Sequence, residues 1–248
     1  MNFERIIATR ADKTVYRDGN EVIKVFKESY PKDEVINEAL NQARIETTGI
    51  NVPAVKGITS FDNKWAIISE YIEGKTLAAV MAEQPEKKDE YLEKFVDLQL
   101  DVFSKKCPLL NSQKDKMRSN LLDCELKATT RYDLLRKLET LPKHDKICHG
   151  NFCPENIIIG NDGKCYVTGW SGATQGNASA DVARTYLLFW LNGDISGAKK
   201  YLDIFCEKSG TEKCYFEKWL PLVAASRYLK GNVNEREFLR SWIEREYE

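Results

Sequence analysis

The sequence predicts an α+β fold in two parts. Residues 1–73 form a small antiparallel sheet with one helix, and residues 74–248 form a larger, mostly helical part. Three observations predict it. Apolar residues alternate in short runs up to Ile72, they recur at helical spacing from Glu86 onward, and one loop with a hairpin, residues 147–170, interrupts the helices. A period of two marks a half-buried strand, and a period near 3.6 marks an amphipathic helix.

In chain order, residues 5–8 and 14–17 are β-prone runs separated by Thr9, Arg10, Ala11, Asp12 and Lys13. Arg17, Asp18, Gly19 and Asn20 carry hairpin-turn chemistry. Over residues 21–26, Val22, Lys24 and Phe26 share one face, and Ile23 and Val25 the other. Residues 31–48 predict a helix with an apolar stripe of Val35, Ile36, Ala39, Leu40 and Ala43, and Glu38 lies on that stripe. Residues 51–55 lead into a fourth strand. Phe61 to Lys64 form a turn, and residues 65–72 a fifth strand. The order is β-β-β-α-β-β, with the boundary at Glu73 and Gly74. Helices are expected at 86–106, 114–128, 131–141 (stopped by Pro142), 179–191, 196–208, 212–229 and 234–247. Two short strands flank Asn161, Asp162, Gly163 and Lys164, which predict a type I′ hairpin.

The bulk numbers exclude several function classes. Net charge is -1 over 248 residues, and the pI is about 6.3. No strong field draws the chain to nucleic acid or an anionic membrane. The first five residues have no signal-peptide character, and the apolar run from Tyr186 to Leu191 is too short to span a bilayer. A cytoplasmic protein is expected. The seven cysteines are odd in number and contain no Cys-x-x-Cys pair, which points to reduced thiols. Cys148, His149, Cys153 and Cys165 match no common zinc spacing, and the cysteines read as small buried thiols.

Taken in order, Val22-Ile-Lys24-Val-Phe26, Glu38, Val52-Pro53, Glu70-Tyr-Ile-Glu-Gly74, the loop from His149 to Asn156, the strand ending at Trp170 and Asp181-Val-Ala-Arg-Thr185 resemble the aminoglycoside phosphotransferase and choline kinase-like family, relatives of protein kinases. The resemblance implies a two-lobed protein kinase-like fold and ATP-dependent phosphoryl transfer. It makes Lys24 the lysine that contacts nucleotide phosphates, with Glu38 as its ion-pair partner. Glu70 and Ile72 would bind adenine through backbone groups. His149 would support the catalytic loop. An aspartate in that loop would act as base, and Asn156 with an aspartate on the next hairpin would hold magnesium.

Three elements depart from that pattern. The hairpin from Thr9 to Lys13 has no glycine where backbone N–H groups must approach phosphate. Asp12 adds a negative charge there, which Arg10 or Lys13 can offset. Asn151 stands in the aspartate position, and an amide cannot serve as a general base, a role usually worth ~100- to ~10,000-fold in rate. Gly169 stands where the metal-holding aspartate belongs. Glu155, beside Asn156, reads either as a replacement metal ligand or as a solvated loop glutamate. Asp181 reads as a buried structural acid.

The expected function is therefore a pseudokinase of this family that still binds nucleotide or another small ligand, or a protein partner. The alternative is an active ATP- and magnesium-dependent kinase acting on a hydroxylated, amino-sugar or choline-like substrate with rearranged metal ligands. A third reading is a binding domain whose cleft takes a different ligand.

Overall fold

The computed structural model describes residues 5–229 and 233–244. The end of the last expected helix, 245–247, lies outside them, as do the first four residues. The described chain groups into two compact units. The first contains the residues up to Pro85 together with Pro154–Gly172, and the second contains Glu86–Cys153 and the residues from Ala173 onward.

In the first unit, β1 (Arg5–Thr9), β2 (Lys13–Asp18) and β3 (Glu21–Phe26) form an antiparallel meander, with β5 (Lys64–Glu70) and β4 (Val55–Phe61) completing the sheet in the order β1-β2-β3-β5-β4. The alternation in β3 divides its residues as expected. Phe26 packs with Val35, Ala39 and Ile67 on the face covered by α1 (Lys32–Glu46), whereas Ile23 and Val25 pack with Ala66, Tyr16 and Phe61 on the other. The β4–β5 turn holds Asp62 and Asn63 at φ of 46° and 59°, the paired left-handed conformation of a type I′ turn.

The buried face of α1 differs from the expected stripe. Ile36 and Leu40 are 40% and 44% exposed, and the buried set is Val35, Glu38, Ala39, Asn41, Gln42 and Ile45. The helix turns its polar residues inward because each finds a partner. Gln42 donates to Pro53 O at 2.6 Å and Asn41 to Trp170 O at 3.3 Å, while Glu38 meets two lysines. Buried polar groups are tolerated where hydrogen bonds compensate them, and here Asn41 Oδ1 is the exception, with no partner among the described residues.

A second, three-stranded sheet joins distant parts of this unit. In it β6 (Gly74–Thr76), which leads into α2 (Leu77–Glu83), pairs with β8 (Ile157–Gly160), and β8 pairs with β9 (Cys165–Val167). The β8–β9 connection is not type I′. Gly163 N–H bonds to Gly160 O at 2.9 Å and only Gly163 is left-handed, with φ 80°. This is a type I turn followed by a glycine bulge. Asp162 selects it by accepting from Lys164 N–H and the Tyr166 hydroxyl.

The second unit is helical: α3 (Lys88–Ser104), α4 (Gln113–Asp123), α5 (Ala128–Thr140), α6 (Ala178–Leu191), α7 (Ile195–Ser209), α8 (Lys213–Glu217), α9 (Leu220–Tyr228) and α10 (Val233–Glu244), with a two-stranded ladder of β7 (Lys146–Cys148) and β10 (Thr174–Gly176). Its core gathers Phe95 against Phe152, Phe189 and Tyr201. The expected single helix over 212–229 is broken at Lys218 and Trp219, because Pro221 lacks an N–H and starts a new helix. None of the seven cysteines forms a disulfide. No helix among the described residues is long and apolar enough to cross a membrane.

Candidate functional site

The residues singled out in the sequence fall in both units. Lys24, Glu38, Glu70, Ile72, Glu155, Asn156 and Gly169 belong to the first, and His149 and Asn151 to the second.

In the first unit, β3 directs Lys24 and α1 directs Glu38 so that Lys24 Nζ meets Glu38 Oε1. The other carboxylate oxygen, Oε2, lies 3.3 Å from Lys13 Nζ. The side chain of Glu38 is 2% exposed and those of Lys13 and Lys24 are each 20% exposed. Burial alone would raise the Glu38 carboxyl. The charges of Lys24 and Lys13 outweigh it and hold the group below its ordinary value. Lys13 also lies 5.2 Å from the centroid of the Phe26 ring. Beside it, the Tyr30 hydroxyl is pushed up to about 12 by burial and by Asp12, Glu34 and Glu38.

Glu70 ends β5 and is exposed. Its backbone N–H is committed to Ala54 O at 2.9 Å, and the next amide, Tyr71, donates to Asn20 O at 3.0 Å. Ile72 follows, half-buried.

Glu155 and Asn156 sit on one 3-10 turn, Pro154–Asn156, and Glu155 points to solvent. The Asn156 carbonyl accepts from Thr168 N–H at 2.8 Å and from the Thr168 hydroxyl at 3.1 Å, which sets Gly169 beside the Asn156 side chain. Gly169 has φ 82°, and a Cβ added there would lie 3.2 Å from Asn156 Cγ and Nδ2. Among the described residues, no group of three or more His, Cys, Asp or Glu side chains could hold a metal ion. In this unit, the Asn156 amide with one solvent-facing glutamate suits magnesium badly, since that ion favours charged oxygen ligands in near-octahedral order.

In the second unit, the loop after β7 is held from α6. Asp181 accepts from His149 N–H at 3.0 Å and from Gly150 N–H at 2.6 Å. Burial pushes the Asp181 carboxyl up, and these two amides with Arg184 oppose the shift. Burial, with Arg227 nearby, brings Arg184 down to about 10. His149 is fully buried, and its Nδ1 accepts from Asn151 N–H at 3.1 Å, which places the ring proton of the neutral tautomer on Nε2. Thr185 secures the next residue through a 2.9 Å bond to Phe152 O.

The profile of the phosphotransferase enzyme family matches residues 4–215, most of the chain. The chain belongs to that family. No curated protein matches the sequence significantly. Among solved structures, a thermostable mutant of aminoglycoside phosphotransferase APH(4)-Ia, in ternary complex with AMP-PNP and hygromycin B, is similar at TM-score 0.72 and 12% identity. The match covers 97% of this chain and 91% of that one. A choline/ethanolamine kinase family protein from Mesorhizobium loti is similar at TM-score 0.61 and 13% identity, over 99% and 87% of the two chains. Choline kinase LicA from Streptococcus pneumoniae gives 0.60 and 14%, over 99% and 86%. These likenesses establish an α+β protein kinase-like fold for this family member. Lys13 is the residue that the sequence placed only as a possible counter-charge to Asp12. Its signal was the strand register, which sets it opposite Phe26 with Val15 opposite Lys24.

Proposed function

We infer that this chain is a pseudokinase of the phosphotransferase family. It binds nucleotide through the Lys24–Glu38 framework and transfers phosphate poorly or not at all. Gly169 carries the reading. At the position where the family resemblance calls for a metal-holding carboxylate, the backbone is left-handed, no side chain is present, and the Asn156 amide takes the adjacent space. Asn151 adds to it, because an amide cannot take a proton from a substrate hydroxyl at neutral pH. The nucleotide ligand is supported by the AMP-PNP complex of the similar aminoglycoside phosphotransferase, and a cytoplasmic location by an odd number of cysteines without a Cys-x-x-Cys pair. Candidate ligands are a nucleotide, an amino-sugar or choline-like molecule, or a protein partner.

Thermal melting with ATP, with and without magnesium, tests the reading beside a phosphate-transfer assay. The expected result is a rise in melting temperature with ATP and no turnover. Magnesium-dependent turnover at about 1–100 s⁻¹, the usual kinase range, would overturn it. Loss of that turnover in Glu155→Ala would assign Glu155 as a metal ligand instead.

A further inference from the structure

The geometry points to Lys13 as a second phosphate-binding cation, which with Lys24 lets this chain take a nucleoside di- or triphosphate without a divalent metal ion. The inference rests on the nucleotide reading above and adds the form of the ligand and the residue that selects it.

Lys13 begins β2 at the end of the short turn formed by Arg10, Ala11 and Asp12. That turn is closed by a 2.8 Å bond from Arg10 N–H to Lys13 O. It contains no glycine, so it offers phosphate little open backbone. The β2–β3 register sets Lys13 opposite Phe26 and Val15 opposite Lys24. Paired residues share a face of the sheet, so Lys13 and Lys24 project to the same side, two residue positions apart. Their ammonium groups meet on the two oxygens of one carboxylate, Glu38. A phosphate that reaches Lys24 is therefore within reach of Lys13.

The charges favour an anion at this point. Two cations share one buried carboxylate, which leaves one positive charge among the three groups. Both lysines keep part of their surface open to solvent, while Glu38 is closed. In an active kinase, metal ions offset the phosphate charge. The positions that would hold them are here Asn156 and Gly169, and neither carries a charge. A lysine supplies a point charge at phosphate without needing ligands of its own. Asp12 is the opposing carboxylate in the same turn, and its charge also acts on the Tyr30 hydroxyl.

Calorimetric titration of the full chain with ATP, ADP and AMP, in EDTA and then in magnesium, tests the proposal together with Lys13→Met and Lys13→Arg. Melting of each unliganded variant separates folding from binding. The expected result is that ATP binds in EDTA at least as tightly as in magnesium. Lys13→Met should lose about tenfold or more in EDTA, and Lys13→Arg should keep most of the affinity. Affinity should also fall from ATP to AMP. If ATP binds only with magnesium, or Lys13→Met binds as tightly as the parent in EDTA, the proposal fails and the nucleotide reading stands. If ATP binds under neither condition, both fail.

Discussion

Glu38 holds a negative charge in a place almost closed to water, and the two lysines make that stable. Its folded carboxyl lies below the ordinary value of 4.5. Such a group contributes stability above its unfolded value and loses that contribution as pH falls through the folded one. The parent protein should therefore lose stability below about pH 4.5, and Glu38→Gln should flatten that part of the profile. At neutral pH the same variant should cost about 2 kcal/mol, because both ammonium groups lose their partner but remain partly solvated. Urea melts across pH check both. An unchanged acid limb would show that the pair adds nothing. Gly169 makes a second residue-scale case. Gly169→Asp brings a carboxylate back but forces an L side chain to φ 82° against the Asn156 amide. It should destabilise by about 1–2 kcal/mol and should not restore turnover while Asn151 remains. A melt with a phosphate-transfer assay reads both outcomes, and turnover from Gly169→Asp alone would refute the argument.

At the scale of elements, one helix fixes the catalytic-type loop. Asp181, in the first turn of α6, takes the N–H groups of His149 and Gly150. Asp181→Ala leaves two amides in a largely buried loop without that acceptor and should cost about 3 kcal/mol. A loss below about 1 kcal/mol in denaturant melts would mean that the loop is held by something else. Elements of this kind were legible in the sequence where the chain is regular. Spacing put Lys24 on a period-two strand and Glu38 on a 3.6-period helix, and the family resemblance paired them and marked Asp181 near a helix start. The legible part stops where geometry depends on contacts distant in sequence. The strands β6, β7 and β10 are three residues long, too short to show a period. The inward face of α1 was misjudged because Asn41 and Gln42 are buried by partners on other elements, which hydrophobic patterning cannot register. Lys13 was undervalued for the same reason, since its direction follows from hairpin register.

For the molecule as a whole, the chain does not build its first unit from one continuous stretch. Residues up to Pro85 are completed by Pro154–Gly172, and the seam is the pairing of β6 with β8. Such pairing across long sequence separations must form against loop-closure entropy. Gly74 sits on that seam opposite Gly160. A Cβ added at Gly74 would lie 2.1 Å from Ile159 O and 2.9 Å from Gly160 Cα. Both are backbone atoms, so no rotamer change relieves the clash, and β6 would have to part from β8. Gly57, on β4 in the same unit, has nothing within 4 Å of its added Cβ and no positive φ. Gly57→Ala should therefore change stability by less than about 1 kcal/mol. Gly74→Ala should cost about 2 kcal/mol or more, in the range of overpacked sites. It should also weaken any ligand effect on melting, because Asn156 and Gly169 belong to the inserted segment. Parallel urea melts of the two variants decide it: equal midpoints would show that the seam does not hold the inserted segment in place.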